Sequence, residues 1–205
     1  MPPSENNAKI PPDTAVPAVI SSFNRVFEKR WRTILEGGAN EPLYQPAPSG
    51  ADTHRVIFAL DYVASALHEA AHWCIAGDIR RQQVDYGYWY APDGRSDEQQ
   101  RLFERVEIVP QAMEWIFAQA CGLPFRVSAD NLEQGYGPGE QFKDDIYGQV
   151  LSYCQHGMPE RPMLFVGALT AFTNWTTVLL KGSKLLPQSG NAGRQYLSNY
   201  HYLSH

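Results

Sequence analysis

The chain has 205 residues, of which 43% are hydrophobic and 19% are charged, a balance that predicts one globular domain with its own core. The formal net charge of −5 offers no basic field to nucleic acid, so direct nucleic-acid binding is not expected. The three cysteines lack any Cys-x-x-Cys spacing, which argues against a disulfide framework and a zinc ribbon. Neither a signal peptide nor a membrane span is evident, and we expect a cytoplasmic protein with no membrane contact.

The N-terminal part alternates proline-rich and apolar stretches. Residues 1–18 carry five prolines and few apolar side chains, which predicts a disordered leader before a domain over residues 19–175. Apolar residues at helical spacing from Ile20 to Trp31 predict an amphipathic helix that ends near Gly37-Gly38. A proline-containing loop should follow, and then a short buried strand from Arg55 to Leu60.

The next helix contains the most informative motif in the chain, His68-Glu69-Ala70-Ala71-His72. Two histidines four residues apart on a helix lie about 40° from each other around its axis, so both imidazoles can reach one metal ion. The motif lies in an apolar run with helical spacing, and Gly77 supplies a C-terminal stop. The sequence therefore predicts a metal site on a helix.

The second half of the chain is predicted to be mostly helical. Alternation from Val84 to Tyr90 indicates a strand, and Ser96 begins a helix that a second helix should follow from Pro110. After the polar loop over residues 130–139 we expect two more helices and a weakly ordered tail over residues 176–205. The fold class is thus a mainly helical α+β single domain with a small sheet.

Two histidines rarely hold a catalytic metal alone, so a third protein ligand is expected. The candidate carboxylates are Glu104, Glu107, Glu114 and Asp130, since His54 and His156 lie in loop or cap contexts. Glu107 is preferred, because it precedes Pro110 at a predicted helix junction that can aim a carboxylate inward. Glu104 shares the same helical face and is the second choice.

The motif alone leaves three functions open. In a zinc metallopeptidase-type hydrolase, Glu69 would be the general base that activates a metal-bound water, and the motif by itself favours this class. Two histidines and one carboxylate also serve non-haem iron oxygenases. In a metal-stabilised binding module, Cys74 or His54 would instead close the site as a fourth ligand.

Ordered blocks along the chain resemble the elongation factor P hydroxylase family from about residue 20 to residue 173. The blocks are residues 65–77 (SALHEAAHWCIAG), 84–90 (VDYGYWY) with 92–95 (PDGR), 103–107 (FERVE) with 110–112 (PQA), 122–125 (GLPF) with Ser128 and Asp130-Asn131-Leu132, and 159–162 (PERP). Several ordered blocks are far more specific than the HExxH motif, and they favour the oxygenase over the hydrolase.

The resemblance implies an enzyme that hydroxylates the modified lysine of translation elongation factor P, which would be its protein partner. It also implies a 2-His-1-carboxylate site in which His68, His72 and Glu107 hold a divalent metal, Fe²⁺, with dioxygen as co-substrate. Glu69 would then be a catalytic residue that orients a ligand or steers a proton. The oligomeric state is left open.

An aromatic strand supplies the candidate substrate-binding residues. Tyr86, Tyr88 and Trp89 can wall a slot for a long cationic side chain, with cation–π contacts worth about 0.5–2 kcal/mol each. Asp93 and Asp130 can pair with its ammonium groups. The alternative for each tyrosine is a place on the buried face of the strand.

Overall fold

The computed structural model describes residues 12–48, 53–84, 95–129 and 138–170. The elements in these ranges are helices α1 (Pro12–Trp31), α2 (Val63–Ile75), α3 (Asp97–Ala120), α4 (Glu140–His156) and α5 (Glu160–Thr170), a 3-10 turn (Arg80–Gln82), and strands β1 (Thr33–Ala39), β2 (Leu43–Gln45) and β3 (His54–Ala59). The predicted class, a mainly helical α+β domain with a small sheet, is confirmed. None of the described helices is both long and apolar enough to cross a membrane.

Helix α1 begins earlier than the sequence suggested. It starts at Pro12, so the expected leader over residues 1–18 is wrong for its last seven positions. Ala15 and Val19 are fully buried, one helical turn apart, and extend the core-facing stripe of the helix toward its N-terminus. Pro12 fits the first helical position, where its missing N–H costs nothing, and burial of the stripe outweighs the cost of Pro17.

A three-stranded sheet follows α1, with strand order β1-β3-β2. Strand β3 pairs parallel to β1 and antiparallel to β2, and it confirms the predicted buried strand. Two expectations are wrong here, because Gly37-Gly38 lies inside β1 rather than at a helix end and the predicted loop contains β2. The helix ends at Trp31, and Arg32 turns the chain with a positive φ of 49°.

Helix α2 carries the HExxH motif and is packed against β3, α3, α1 and α5. Its core face consists of small and apolar side chains: Ala66, Leu67, Ala70, Ala71 and Cys74. Trp73 is also buried, with its ring 4.7 Å from that of Phe27. Because most of its surface is covered, α2 is a rigid support for the side chains that it presents.

Helix α3 is a single helix of 24 residues. It begins as predicted at Ser96, which forms a reciprocal capping box with Gln99. The prediction of a new helix at Pro110 is wrong, because the helix continues through this residue. Proline removes one backbone hydrogen bond, but side chains on both sides of Pro110 are buried in the core and stabilise the continuous helix.

The last described helices, α4 and α5, confirm the two that were predicted after the polar loop. Residues 85–90 of the predicted aromatic strand, residues 130–137 of the polar loop and the predicted tail over residues 176–205 lie outside the described residues. The predicted stop after α3 is confirmed, since Gly122 has a positive φ of 68° just past the helix end.

Candidate metal centre

The two histidines of the HExxH motif point toward each other from adjacent turns of α2. Their Nε2 atoms are 3.0 Å apart, and their ring centroids are 4.6 Å apart. Both side chains are half-buried, with 23% and 24% of their surface exposed. The helix therefore places two imidazole nitrogens at one point at the edge of the core.

Glu107 of α3 completes a group of three. Its Oε1 lies 3.2 Å from His72 Nε2, and its Oε2 lies 3.6 Å from His68 Nε2. Only 5% of Glu107 is exposed. Among the described residues, these three side chains form the one group of histidine, cysteine and acidic residues with ligand atoms close enough to hold a metal ion together. The residues that the sequence singled out as ligands are thus brought together.

The remaining ligand candidates lie elsewhere or have other partners. Glu104 accepts a hydrogen bond from Gln100 Nε2 at 3.2 Å, outside the group of three. His54 Nδ1 accepts a hydrogen bond from the backbone N–H of Ala47, and Cys74 is buried apart from the group. Asp130 lies outside the described residues. Glu114 has a different role, described below.

The geometry fits a metal ion. Ligand atoms that each lie about 2.1 Å from a metal are about 3.0–3.4 Å from their neighbours. The two Nε2 atoms are 3.0 Å apart, and they lie 3.6 and 3.2 Å from Oε2 and Oε1 of Glu107, respectively, which is close to this range. A metal would also explain why a half-buried site holds two Nε2 atoms and a carboxylate face to face. The local context of Glu107 was predicted wrongly, because it lies within α3 and not at a helix junction.

Glu114 orients His68 from behind. Its Oε2 accepts a hydrogen bond from His68 Nδ1 at 2.8 Å, which turns the Nε2 side of the ring toward the other two ligand atoms. Glu114 is 9% exposed and lies two helical turns after Glu107. From the sequence alone, Glu114 is only a possible ligand. The seven-residue spacing, which places both carboxylates on one face of α3, is the signal that could have identified this role.

Contacts between the histidines and carboxylates in the site shift the pKa values of His68 and Glu107 toward their charged forms. Burial opposes protonation of His68, but the hydrogen bond to Glu114 and the charges of Glu107, Glu114 and Glu69 outweigh it and raise the pKa of His68 to about 10. Burial also acts to raise the pKa of Glu107, yet the contacts with His72, His68 and Gln111 lower it to about 2. The acidic surroundings thus favour a cation in the site.

Glu69 lies beside the site. It is half-buried and lines a small pocket together with His72, Arg80 and Arg81. Its negative charge contributes to the raised pKa of His68. This position is compatible with proton transfer or with ligand orientation, the two roles considered for Glu69 in an oxygenase. The predicted substrate-binding residues Tyr86, Tyr88, Trp89, Asp93 and Asp130 lie outside the described residues.

Two comparisons with known proteins cover this site. A family model described as "Elongation factor P hydroxylase" matches residues 22–182, a range that includes both helices of the candidate metal centre. The "Elongation factor P lysine hydroxylase" of Haemophilus influenzae is 47% identical over 154 residues, which are 75% of this chain and 86% of that protein.

Proposed function

Because the chain belongs to the elongation factor P hydroxylase family, we propose that it hydroxylates the modified lysine of translation elongation factor P. The observation that carries this proposal is the position of the three candidate ligands within the matched range, at distances suited to one metal ion. The enzyme would be a monooxygenase-type oxidoreductase that acts in the cytoplasm, where it meets its protein substrate.

In this proposal, His68, His72 and Glu107 hold a divalent metal, Fe²⁺. Bound ferrous iron would supply the chemistry that activates dioxygen for insertion of one oxygen atom into a C–H bond of the lysyl side chain. The second oxygen atom leaves as water, so two further electrons must come from a reductant. The 2-His-1-carboxylate set leaves coordination positions open on the ion for the reactants.

The residues around the three candidate ligands would orient these ligands, transfer protons or bind the substrate. With a metal in place of the Nε2 proton of His68, Glu114 would keep the remaining proton on Nδ1, and burial keeps the Glu107 carboxylate away from bulk water. Glu69 would steer a proton or orient a ligand beside His72. The aromatic residues Tyr86, Tyr88 and Trp89 would hold the aliphatic and cationic parts of the substrate, and Asp93 and Asp130 would pair with its ammonium groups.

The proposal is tested by intact-protein mass spectrometry of elongation factor P that carries the lysine modification. Wild-type protein loaded anaerobically with Fe²⁺ and then exposed to air in the presence of a reductant, which supplies the two further electrons, should add one oxygen atom to this substrate. His72→Ala should add none, because one imidazole ligand is lost. A wild-type protein that leaves the substrate mass unchanged, although Fe²⁺ is bound, would contradict the proposal.

A zinc hydrolase is the second candidate, and the position of Glu69 next to His72 supports it. Peptide cleavage by the zinc-loaded wild-type protein separates the two functions, and Glu69→Gln tests whether Glu69 is the general base of that cleavage. In a hydrolase this change removes the general base and abolishes peptide cleavage while metal binding persists. In the hydroxylase, metal binding should also persist, but no peptide substrate should be cleaved by the wild-type protein loaded with zinc.

A further inference from the structure

Gln111 has a fully buried polar side chain one turn after Glu107 on α3, with only 1% of its surface exposed. Its Nε2 donates hydrogen bonds to the backbone carbonyl of Ser128 at 2.8 Å and to Glu107 Oε2 at 3.5 Å. Its Oε1 accepts a hydrogen bond from the backbone N–H of Ser128 at 3.0 Å. One planar amide therefore contacts both a candidate metal ligand and a separate part of the chain.

The segment that Gln111 holds consists of residues 124–129. Burial alternates along it, as in a strand: Phe125, Val127 and Ala129 are buried, whereas Pro124, Arg126 and Ser128 are exposed. The segment belongs to no sheet within the described ranges. Both backbone groups of Ser128 bond instead to the Gln111 amide, which takes the place of a neighbouring strand.

Two more side chains anchor the end of this segment. The carbonyl oxygen of Ala129 accepts hydrogen bonds from Arg95 Nη1 at 3.2 Å and from Gln100 Nε2 at 3.3 Å. The next residue is Asp130, which the sequence predicts to bind substrate. Side chains just before α3, in its first turn and in its middle thus hold the backbone where it leads into a candidate substrate-binding stretch.

We propose that Gln111 is a positioning residue that couples occupancy of the metal site to the placement of segment 124–129. A metal would fix Glu107 Oε2 in one position, the carboxylate would fix the amide, and the planar amide would fix Ser128 through two hydrogen bonds. The coupling is reciprocal, so loss of the Ser128 bonds weakens metal binding. This inference rests on the proposed function only in treating Glu107 as a metal ligand.

The test is hydrogen exchange of segment 124–129, measured by mass spectrometry with and without Zn²⁺, a probe metal that does not oxidise. In the wild-type protein, Zn²⁺ should slow exchange of the Ser128 amide by about tenfold or more, because the amide is held more firmly. In Gln111→Met, the new side chain has a volume similar to that of glutamine but no amide group. It should lose this slowing and bind Zn²⁺ about tenfold more weakly.

Gln119→Met is the matched control. Gln119 lies two turns further along α3 and donates to the backbone carbonyl of Leu123 at 3.5 Å, away from Glu107. This variant should keep the wild-type Zn²⁺ affinity and the metal-dependent slowing. If Gln111→Met does not fold, Gln111→Asn replaces it, because the same amide on a side chain shorter by one methylene cannot reach both partners.

The outcomes separate this inference from the proposed function. If Glu107→Ala weakens Zn²⁺ binding whereas the Gln111 variant keeps the wild-type affinity and the metal-dependent slowing, the coupling is refuted and the metal site stands. If Glu107→Ala leaves Zn²⁺ affinity unchanged, Glu107 is not a ligand and both proposals fail. Loss of affinity and of slowing in the Gln111 variant, with Gln119→Met unaffected, supports the coupling.

Discussion

At the scale of single residues, the contact between His68 and Glu114 explains how the His68 ring is oriented in the site. A neutral imidazole has one nitrogen that carries a proton and one with a free lone pair, and only the latter binds a metal. When a metal displaces the Nε2 proton of His68, the 2.8 Å hydrogen bond from Nδ1 to Glu114 keeps the other proton on Nδ1. The buried carboxylate thus determines which nitrogen of His68 is left for the metal.

Replacing Glu114 by Gln should weaken metal binding by about ten- to a hundredfold, the usual effect of losing a partner behind a metal-bound histidine. The amide keeps the size of the side chain but removes its negative charge. Zn²⁺ titration of the wild-type protein, Glu114→Gln and Glu104→Gln measures this effect. Glu104 lies outside the group of three candidate ligands and is the control, and Glu104→Gln should bind Zn²⁺ as the wild-type protein does. Equal affinities for all three proteins would contradict the role of Glu114.

The metal-free protein should lose stability as the pH rises from about 6.5 through about 10. The pKa of His68 in the folded protein, about 10, lies above its ordinary value of 6.5. Its protonated form therefore stabilises the fold fully below pH 6.5, and this contribution disappears as the pH rises through the folded pKa. Urea unfolding of chelator-treated protein between pH 6 and pH 10 measures the change. His68→Gln should show a flatter profile, and identical profiles would refute the assignment.

The same titration predicts how pH affects metal binding. A metal must displace the proton of His68, so the affinity for Zn²⁺ should rise by up to about tenfold per pH unit between pH 7 and pH 9. Calorimetry in buffers of different ionisation enthalpy counts the protons released, and we expect about one from this residue. An affinity that is constant over this range would show that His68 is already neutral in the metal-free protein.

At the scale of elements, Arg161 of α5 contacts the C-terminal end of α2, the helix that carries both histidines. Arg161, at the start of α5, donates from Nε to the carbonyl of Cys74 at 3.1 Å and from Nη2 to the carbonyl of Ala76 at 2.5 Å. Its guanidinium also lies over the ring of Trp73, 5.0 Å from the centroid. These bonds satisfy carbonyls at the C-terminal end of the helix, one turn after His72, and the Ala76 carbonyl also accepts a hydrogen bond from Arg81.

Arg161→Met should therefore reduce the free energy of unfolding by about 1–3 kcal/mol, the usual cost of losing hydrogen bonds from a charged group to partly buried carbonyls. The change should also loosen the last turn of α2, so that amide exchange increases near residue 75. Chemical denaturation and hydrogen exchange measure the two effects. Arg101→Met, on the exposed side of α3, is the control and should change neither. An Arg161 variant as stable as the control would show that α2 needs no support from α5.

Local patterns predicted some elements and missed others for identifiable reasons. The periodicity of α2 and the Ser96 capping box are local signals, and both were read correctly. The continuity of α3 through Pro110 was not predictable, because proline is a local helix breaker and only tertiary burial on both sides stabilises the helix. The early start of α1 was missed for the same reason, since Ala15 reveals its role only when packed.

In the candidate site, too, some features follow from local sequence patterns and others depend on tertiary packing. The histidine pair follows from spacing within one helix, whereas the selection of Glu107 over Glu104 depends on how α3 lies against α2. Gln111 and Glu114 follow Glu107 at helical spacing, but their roles required contacts with Ser128 and His68. The sequence thus pointed to three candidate ligands that the structure brings together, and the structure added Gln111 and Glu114, which contact them.

For the whole molecule, the site joins two helices that also build the core, so metal binding should stabilise the entire fold. A ligand that binds only the folded state at 100 times its Kd adds about 2.7 kcal/mol to the free energy of unfolding. Thermal unfolding with increasing Zn²⁺ should therefore show a rising Tm in the wild-type protein. His72→Ala, which removes one ligand, should show little rise. A similar rise in both proteins would place the metal elsewhere.

The most direct measurement of the central claim is the source of the oxygen added to elongation factor P. Lysine-modified elongation factor P would be incubated with the Fe²⁺-loaded enzyme and a reductant under ¹⁸O-labelled dioxygen in unlabelled water, and the intact mass recorded. The proposed hydroxylation predicts one labelled oxygen atom on the modified lysine. No added oxygen, or only unlabelled oxygen from water, would contradict a dioxygen-dependent hydroxylase at His68, His72 and Glu107.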